Sequence, residues 1–154
     1  MTHVRTQIRE AFKTAIEAHD DAAGYAVFAG RKHKWNAKTD IALIDMMISN
    51  DQTQPGSTMG SARHMRHHIA SVYIRVQRHA ASDDLDNALD ADEVFVIEAV
   101  TDHDWTALLE EEPELIQVNF TDANDSAGLP VGTIVIRFDV RYRIDRRDPE
   151  TAQH

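Results

Sequence analysis

The sequence predicts an α+β domain: a mainly antiparallel or mixed sheet of about five strands, with two to three helices packed on one face. Three observations lead there. Thr133 to Asp145 reads "TIVIRFDVRYRID", where Ile134, Ile136, Phe138, Val140, Tyr142 and Ile144 alternate with positions that include Arg137, Asp139, Arg141 and Arg143. Such a period of two marks a strand with one covered face. Near the start, Val4, Ile8, Ala11, Phe12, Ala15 and Ile16 recur at helical spacing, with Arg5, Arg9, Glu10, Lys13 and Glu17 falling largely elsewhere. Finally, the 154 residues suit a single hydrophobic core.

Taken in order, the first helix is expected over residues 3–21, with Thr2 as its N-cap and Gly24 ending it. "YAVFAGRKHKW", Tyr25 to Trp35, reads as a strand that turns basic after Gly30. "DIALIDMMIS", Asp40 to Ser49, is nearly continuously apolar, as a central strand covered on both faces would be. Residues 50–62, "NDQTQPGSTMGSA", read as a long flexible surface loop. In "IASVYIRVQRH", Ala70, Val72, Ile74 and Val76 face the core, while Ser71, Tyr73, Arg75 and Gln77 face out.

"SDDLDNALDADEVFVIEAV" starts at Ser82 with acids suited to a helix N-terminus. It aligns Leu85, Leu89, Val96 and Val100 on one helical face, although "EVFVIEAV" alone also has the composition of a strand. "DHDWTALLEEEPE", Asp102 to Glu114, predicts a short helix capped by Asp102 or Asp104 and halted near Pro113. "ELIQVNF" and the opening stretch form a hairpin across "TDANDSAGLP". Residues 1–145 are thus one α+β domain, and 146–154 a flexible C-terminal tail.

Charge is unevenly placed. Residues 79–136 contain no Lys or Arg and 15 Asp or Glu, whereas residues 1–78 contain 11 Lys or Arg and 7 Asp or Glu. This argues against tight nucleic-acid binding, which needs a basic face. It suits a molecule with unlike flanks that attract head to tail, the contact type that closes into rings; a merely solubilising acidic surface is the alternative. The chain has no cysteine, which excludes disulfides and thiolate metal sites. The opening residues lack the apolar run of a signal peptide, and no stretch of about 18 apolar residues suggests a membrane span.

No motif points to catalysis, a cofactor or a metal. His64, His67, His68 and His79 lie in or beside one strand, but adjacent positions 67 and 68 face opposite sides of it and no HExxH spacing occurs. Asp83/Asp84 and Glu110–Glu112 read as a solvated acidic face. GxSxG, phosphate-loop and GxGxxG patterns are absent. An RNA-binding sheet would present aromatics interleaved with basic residues, and only Tyr73 is placed for that.

"THVRTQIREAFKTAI", "VFAGR" and "PVGTIVIRFDVRYR" resemble the tail terminator proteins of long-tailed bacteriophages, the lambda-type tail completion family. The matching positions are Val4, Arg5, Ile8 and Arg9; Val27, Phe28 and Arg31; and Pro130, Val131, Gly132, Phe138, Val140, Tyr142 and Arg143. About a third of the chain is covered, and the His- and Met-rich 50–68 segment and the acidic helix depart from the pattern. The resemblance implies a non-enzymatic virion protein, assembled in the bacterial host cytoplasm as a homomeric ring, usually a hexamer. The ring sits on the head-proximal end of the tail tube, stops tube polymerisation and offers a surface for head attachment. Its implied partners are its own copies, the tail tube protein and a head–tail connector protein, with DNA passing through unbound. Negative charge from the middle block along the channel would keep that DNA from sticking.

Within this reading, the expected interface residues are Asp51, Gln52, Thr53, Gln54, Met59 and Arg63 in the loop. Arg137, Asp139, Arg141 and Arg143 on the charged strand face join them. A head–tail connector of the same fold, a small metal-dependent enzyme using the His and acidic clusters, and an acidic adaptor for a basic host protein are the competing readings.

Overall fold

A strand that buries alternate side chains needs a layer to bury them against, and here two helices supply it. The computed structural model describes residues 3–30, 42–53, 65–79, 84–124, 130–145 and 148–153. The chain runs α1 (Val4–Glu17), a 3-10 turn (Asp20–Ala22), β1 (Tyr25–Phe28), β2 (Ala42–Thr53), β3 (Met65–His79), α2 (Leu85–Asp102), β4 (Glu114–Asn124), β5 (Pro130–Asp145) and β6 (Asp148–Gln153). The sheet order is β1-β2-β3-β5-β4, with β6 also paired to β5. β1 and β2 are parallel and the other pairs antiparallel, so the sheet is mixed and the fold α+β.

The expected alternation holds in the two central strands. Ala70, Val72, Ile74 and Val76 of β3 and Ile134, Ile136, Phe138, Val140 and Tyr142 of β5 are all buried. They share one core with Val4, Ile8, Phe12 and Ile16 of α1 and with Leu85, Leu89, Val96 and Val100 of α2. Phe12 sits 4.5 Å from the Trp105 ring and 5.9 Å from Phe138, centroid to centroid, so α1 packs onto β5 through aromatic contacts.

β5 is held along its whole length. β3 pairs with it from Val131 to Asp145. On the other side β4 covers Pro130–Asp139, the Glu110 amide donates to the Arg141 carbonyl at 2.8 Å, and β6 pairs with Arg143–Asp145. The segment 146–154, expected as a loose tail, therefore contributes a strand, because β4 leaves the last positions of this edge open.

Other expectations need correction. His3, not Thr2 (which lies outside the described residues), caps α1, its Nδ1 accepting from the Arg5 amide at 3.1 Å. The helix stops at Glu17. Gly24, with φ of +91°, serves the later turn into β1, where a left-handed backbone favours glycine. β1 ends at Phe28, and the expected continuation through 31–35 lies outside the described residues. β2 has Ala42–Met46 buried as its apolar run implies, but it is the second strand of the sheet and extends to Thr53. A bulge after Ser49, with Asn50 at φ +53°, carries it past the expected loop start.

"EVFVIEAV" is helical, since a helix puts Phe95, Val96, Ala99 and Val100 together against the core. No short helix follows Asp102. Asp104 does cap, accepting from the Thr106 amide at 3.0 Å. The chain then makes one turn, with the Leu108 and Leu109 amides donating to the Trp105 carbonyl. Trp105 is buried with its indole N–H on the Val100 carbonyl at 2.8 Å, which turns the chain back toward β5.

α2 crosses the sheet end where β1, β2 and β3 begin or finish. Tyr25, Ala42 and Arg78 lie side by side in register, and the small Ala42 lets its two neighbours meet. The Arg78 guanidinium donates to the Tyr25 hydroxyl at 2.6 Å, and that hydroxyl donates to Asp92 of α2. Arg78 Nε also lies 2.7 Å from Asp92 Oδ2, a charge contact without hydrogen-bond alignment. Burial raises the Asp92 carboxyl above its ordinary value, against the opposing pull of the Tyr25 and Arg78 bonds. Burial, together with Asp92, pushes Tyr25 up to about 12.

Two predictions follow from how α2 is seated. A Cβ on Gly132 would stand 2.5 Å from Leu89 Cδ1 and 2.8 Å from Leu85 Cδ1. Gly132→Ala should therefore lower stability by about 1–3 kcal/mol, seen as a lower urea midpoint at constant slope; an unchanged midpoint would mean α2 is not seated on β5 there. For Asp92, the folded carboxyl holds its proton to a higher pH than the unfolded one. Its contribution to stability is full below the ordinary value of 3.8 and is lost as pH rises through the raised folded value. The wild type should therefore gain on Asp92→Asn as pH falls through that window. A pH-independent gap between the two unfolding curves would refute this.

Candidate functional site

Odd-numbered positions of β3 and β5 form the sheet face away from the helices, and their charges are largely matched within the chain. Arg137 Nε donates to Asp139 Oδ1 at 3.1 Å, and Ser71 Oγ donates to the same carboxylate at 2.8 Å. The Arg137 guanidinium lies 5.9 Å from the Tyr73 ring centroid. Arg75 of β3 donates through Nε to Asp45 of β2 at 2.8 Å, across a register pair. Arg141 lies 3.4 Å from Glu111, and Arg143 lies 2.8 Å from Glu110. All four strand residues expected to dock thus have partners in their own chain. The exposed Arg141–Glu111 pair contributes about 0–1 kcal/mol, whereas the part-buried pairs fix side-chain positions on this face.

The loop residues divide differently. Gln54, Met59 and Arg63 lie outside the described residues, as does His64. Gln52 and Thr53 are exposed at the end of β2. Asp51 is turned inward and joins three elements: Tyr142 of β5 donates its hydroxyl to Oδ2 at 2.6 Å, His68 of β3 approaches Oδ1 at 2.9 Å, and Arg5 of α1 lies at 3.2 Å. The His68 ring stacks on Tyr142 at 5.1 Å. Burial, with the Asp51 carboxylate alongside, raises the Tyr142 hydroxyl far above the ordinary tyrosine range. Asp51 therefore closes the lower end of the core, a role its place in a polar, Gly-containing stretch did not signal.

The histidines part as the strand geometry requires. His68 goes to Asp51 on the helix side, whereas His67 meets Glu110 at 3.0 Å on the other side. Among the described residues, no group of three His, Asp or Glu side chains converges as a metal site would need. No helix among them is long and apolar enough to cross a membrane.

What remains outwardly distinctive is the two flanks of the sheet. On one, the edge strand β4 exposes Leu115, Ile116 and Phe120 at 42%, 42% and 49% of their surface, because the helices pack over the other strands. Exposed Glu111, Glu112 and Glu114 lead into it. On the other flank, Arg5, Thr6 and Arg9 of α1 face Met46, Met47 and Ile48 of β2 across a cleft of about 520 Å³. The adjacent pair "LI" in "ELIQVNF" breaks strict alternation, which is the available hint that this strand is not covered as the others are.

No protein-family model matches the chain, and no curated protein matches its sequence. The Asp51 junction makes a direct prediction. Asp51→Ala strands the Tyr142 hydroxyl and should cost roughly 2–3 kcal/mol, read as a lower urea midpoint. Unchanged stability with weakened self-association would instead return Asp51 to the docking role.

Proposed function

We propose that this chain is a ring-forming structural protein that caps the head-proximal end of a phage tail tube, ending its growth and presenting a surface to the head. The observation that supports this best is the pair of unlike flanks on one sheet: acidic and apolar at β4, and on the other side a cleft in which Arg5 and Arg9 of α1 stand over apolar residues of β2. A heterologous pairing of unlike flanks is the geometry that generates rings. Exposed acids also line the solvent side of α2, at Asp86 and Asp90. The terminator resemblance at both ends of the chain adds to this reading: its matched residues Val4, Ile8, Phe138, Val140 and Tyr142 belong to the core.

In such a ring, chemistry is replaced by complementarity. One axial face must fit the tube end and the other must reject another tube ring, which is how a polymer is stopped without an enzyme. Acidic side chains turned toward the channel would repel the phosphate backbone of passing DNA.

The test is electron microscopy of particles produced without the protein. Overlong tails are the expected result. Tails of normal length that fail to join heads would assign the chain to the connector instead, and normal infectious particles would remove it from the neck altogether.

A further inference from the structure

We propose that the N-terminal part of β4 in one copy of this chain docks into the α1–β2 cleft of the next copy. This deepens the ring reading and rests on it.

The ridge is built from two features. The register of β4 against β5 slips between Leu115 and Gln117, so Ile116 is the extra residue of a bulge. Leu115 and Ile116 remain 42% exposed each, apolar surface at a sheet edge that ends the strand order. Edge strands left open in this way invite pairing with another chain. Beside them, Glu112 and Glu114 are exposed and have no ion-pair partner among the described residues.

The cleft offers the converse. β1 pairs with β2 only over Ala42–Asp45, and Met46, Met47 and Ile48 lie past its end as an apolar floor. Arg9 stands over that floor. Its Nη2 donates to Thr6 Oγ1 at 3.2 Å, while its Nε is buried without a hydrogen-bond partner. No carboxylate pairs with Arg9 among the described residues, whereas Arg5 beside it is engaged by Asp51. A half-buried guanidinium without a carboxylate is incomplete, since a buried charge is costly until it is paired.

An apolar ridge carrying uncompensated glutamates thus matches an apolar cleft carrying an uncompensated arginine. Because the two surfaces are different and lie on opposite flanks, each copy can give one and receive the other. Repetition of that contact closes a ring when the rotation per copy allows it. The matched charges would bias encounter toward this register and away from ridge-to-ridge contact.

The test uses the purified full chain in low salt, with oligomeric state measured by sedimentation. Arg9→Glu and the double variant Glu112→Arg/Glu114→Arg should each associate at least tenfold more weakly than wild type. Lys13→Glu, on the same helix but outside the cleft, should associate as wild type does. An equimolar mixture of the first two variants should regain association with alternating copies, since each ridge then meets a cleft of opposite charge. Regained assembly also shows that both variants are folded. If the variants assemble like wild type, or if the mixture stays apart, this contact is wrong while the ring reading survives on the association of the wild type. If Arg9→Glu loses only tail-tube binding, the cleft receives the tube protein and the proposal falls. A wild type that stays monomeric at every concentration, with and without purified tail tubes, overturns both the contact and the ring.

Discussion

β5 is the constraint on which the rest depends. Its even side chains form the centre of the core, from Ile134 to Tyr142, and both of its hydrogen-bonding edges are occupied. A strand buried on one face and paired on two sides cannot shift by a single residue, because a slip would turn every apolar side chain outward. Everything else is placed against it: β3 along one edge, β4, Glu110 and β6 in succession along the other, and Phe12 against Phe138 with Trp105 packed on Phe12.

The helices are pinned at opposite ends of this sheet by polar groups turned into the core side. Tyr25, Arg78 and Asp92 hold α2 at one end, and Arg5, Asp51, His68 and Tyr142 hold α1 at the other. Such groups add less stability than well-packed apolar residues of the same volume would, since desolvation offsets their attraction. Their value is directional. Apolar packing permits several helix placements of similar energy, whereas an inward carboxylate accepts only the placement that brings its partners to it.

The same economy of charge explains the surface. Acids and bases on the sheet face are consumed in contacts within the chain, among them Arg137 with Asp139 and Arg143 with Glu110. Glu112 and Glu114 on one flank and Arg9 on the other have no ion-pair partner among the described residues, as is also true of Asp86 and Asp90 on α2.

Much of the fold could be read from the chain. The period of two in β3 and β5, the helical spacing of Val4, Ile8 and Phe12, and the stripe Leu85, Leu89, Val96 and Val100 all agree with the observed burial. These patterns are local, and a helix or strand imposes its period on whichever residues it contains. The block of 15 acids without Lys or Arg was equally visible. Tertiary structure decided the rest: that Asp51 is an internal junction, that Arg137 to Arg143 are matched, that residues 148–153 pair with β5, and that Leu115 and Ile116 are left uncovered. Each of these depends on which distant segments become neighbours, and distances across the sheet are not encoded in the spacing along the chain.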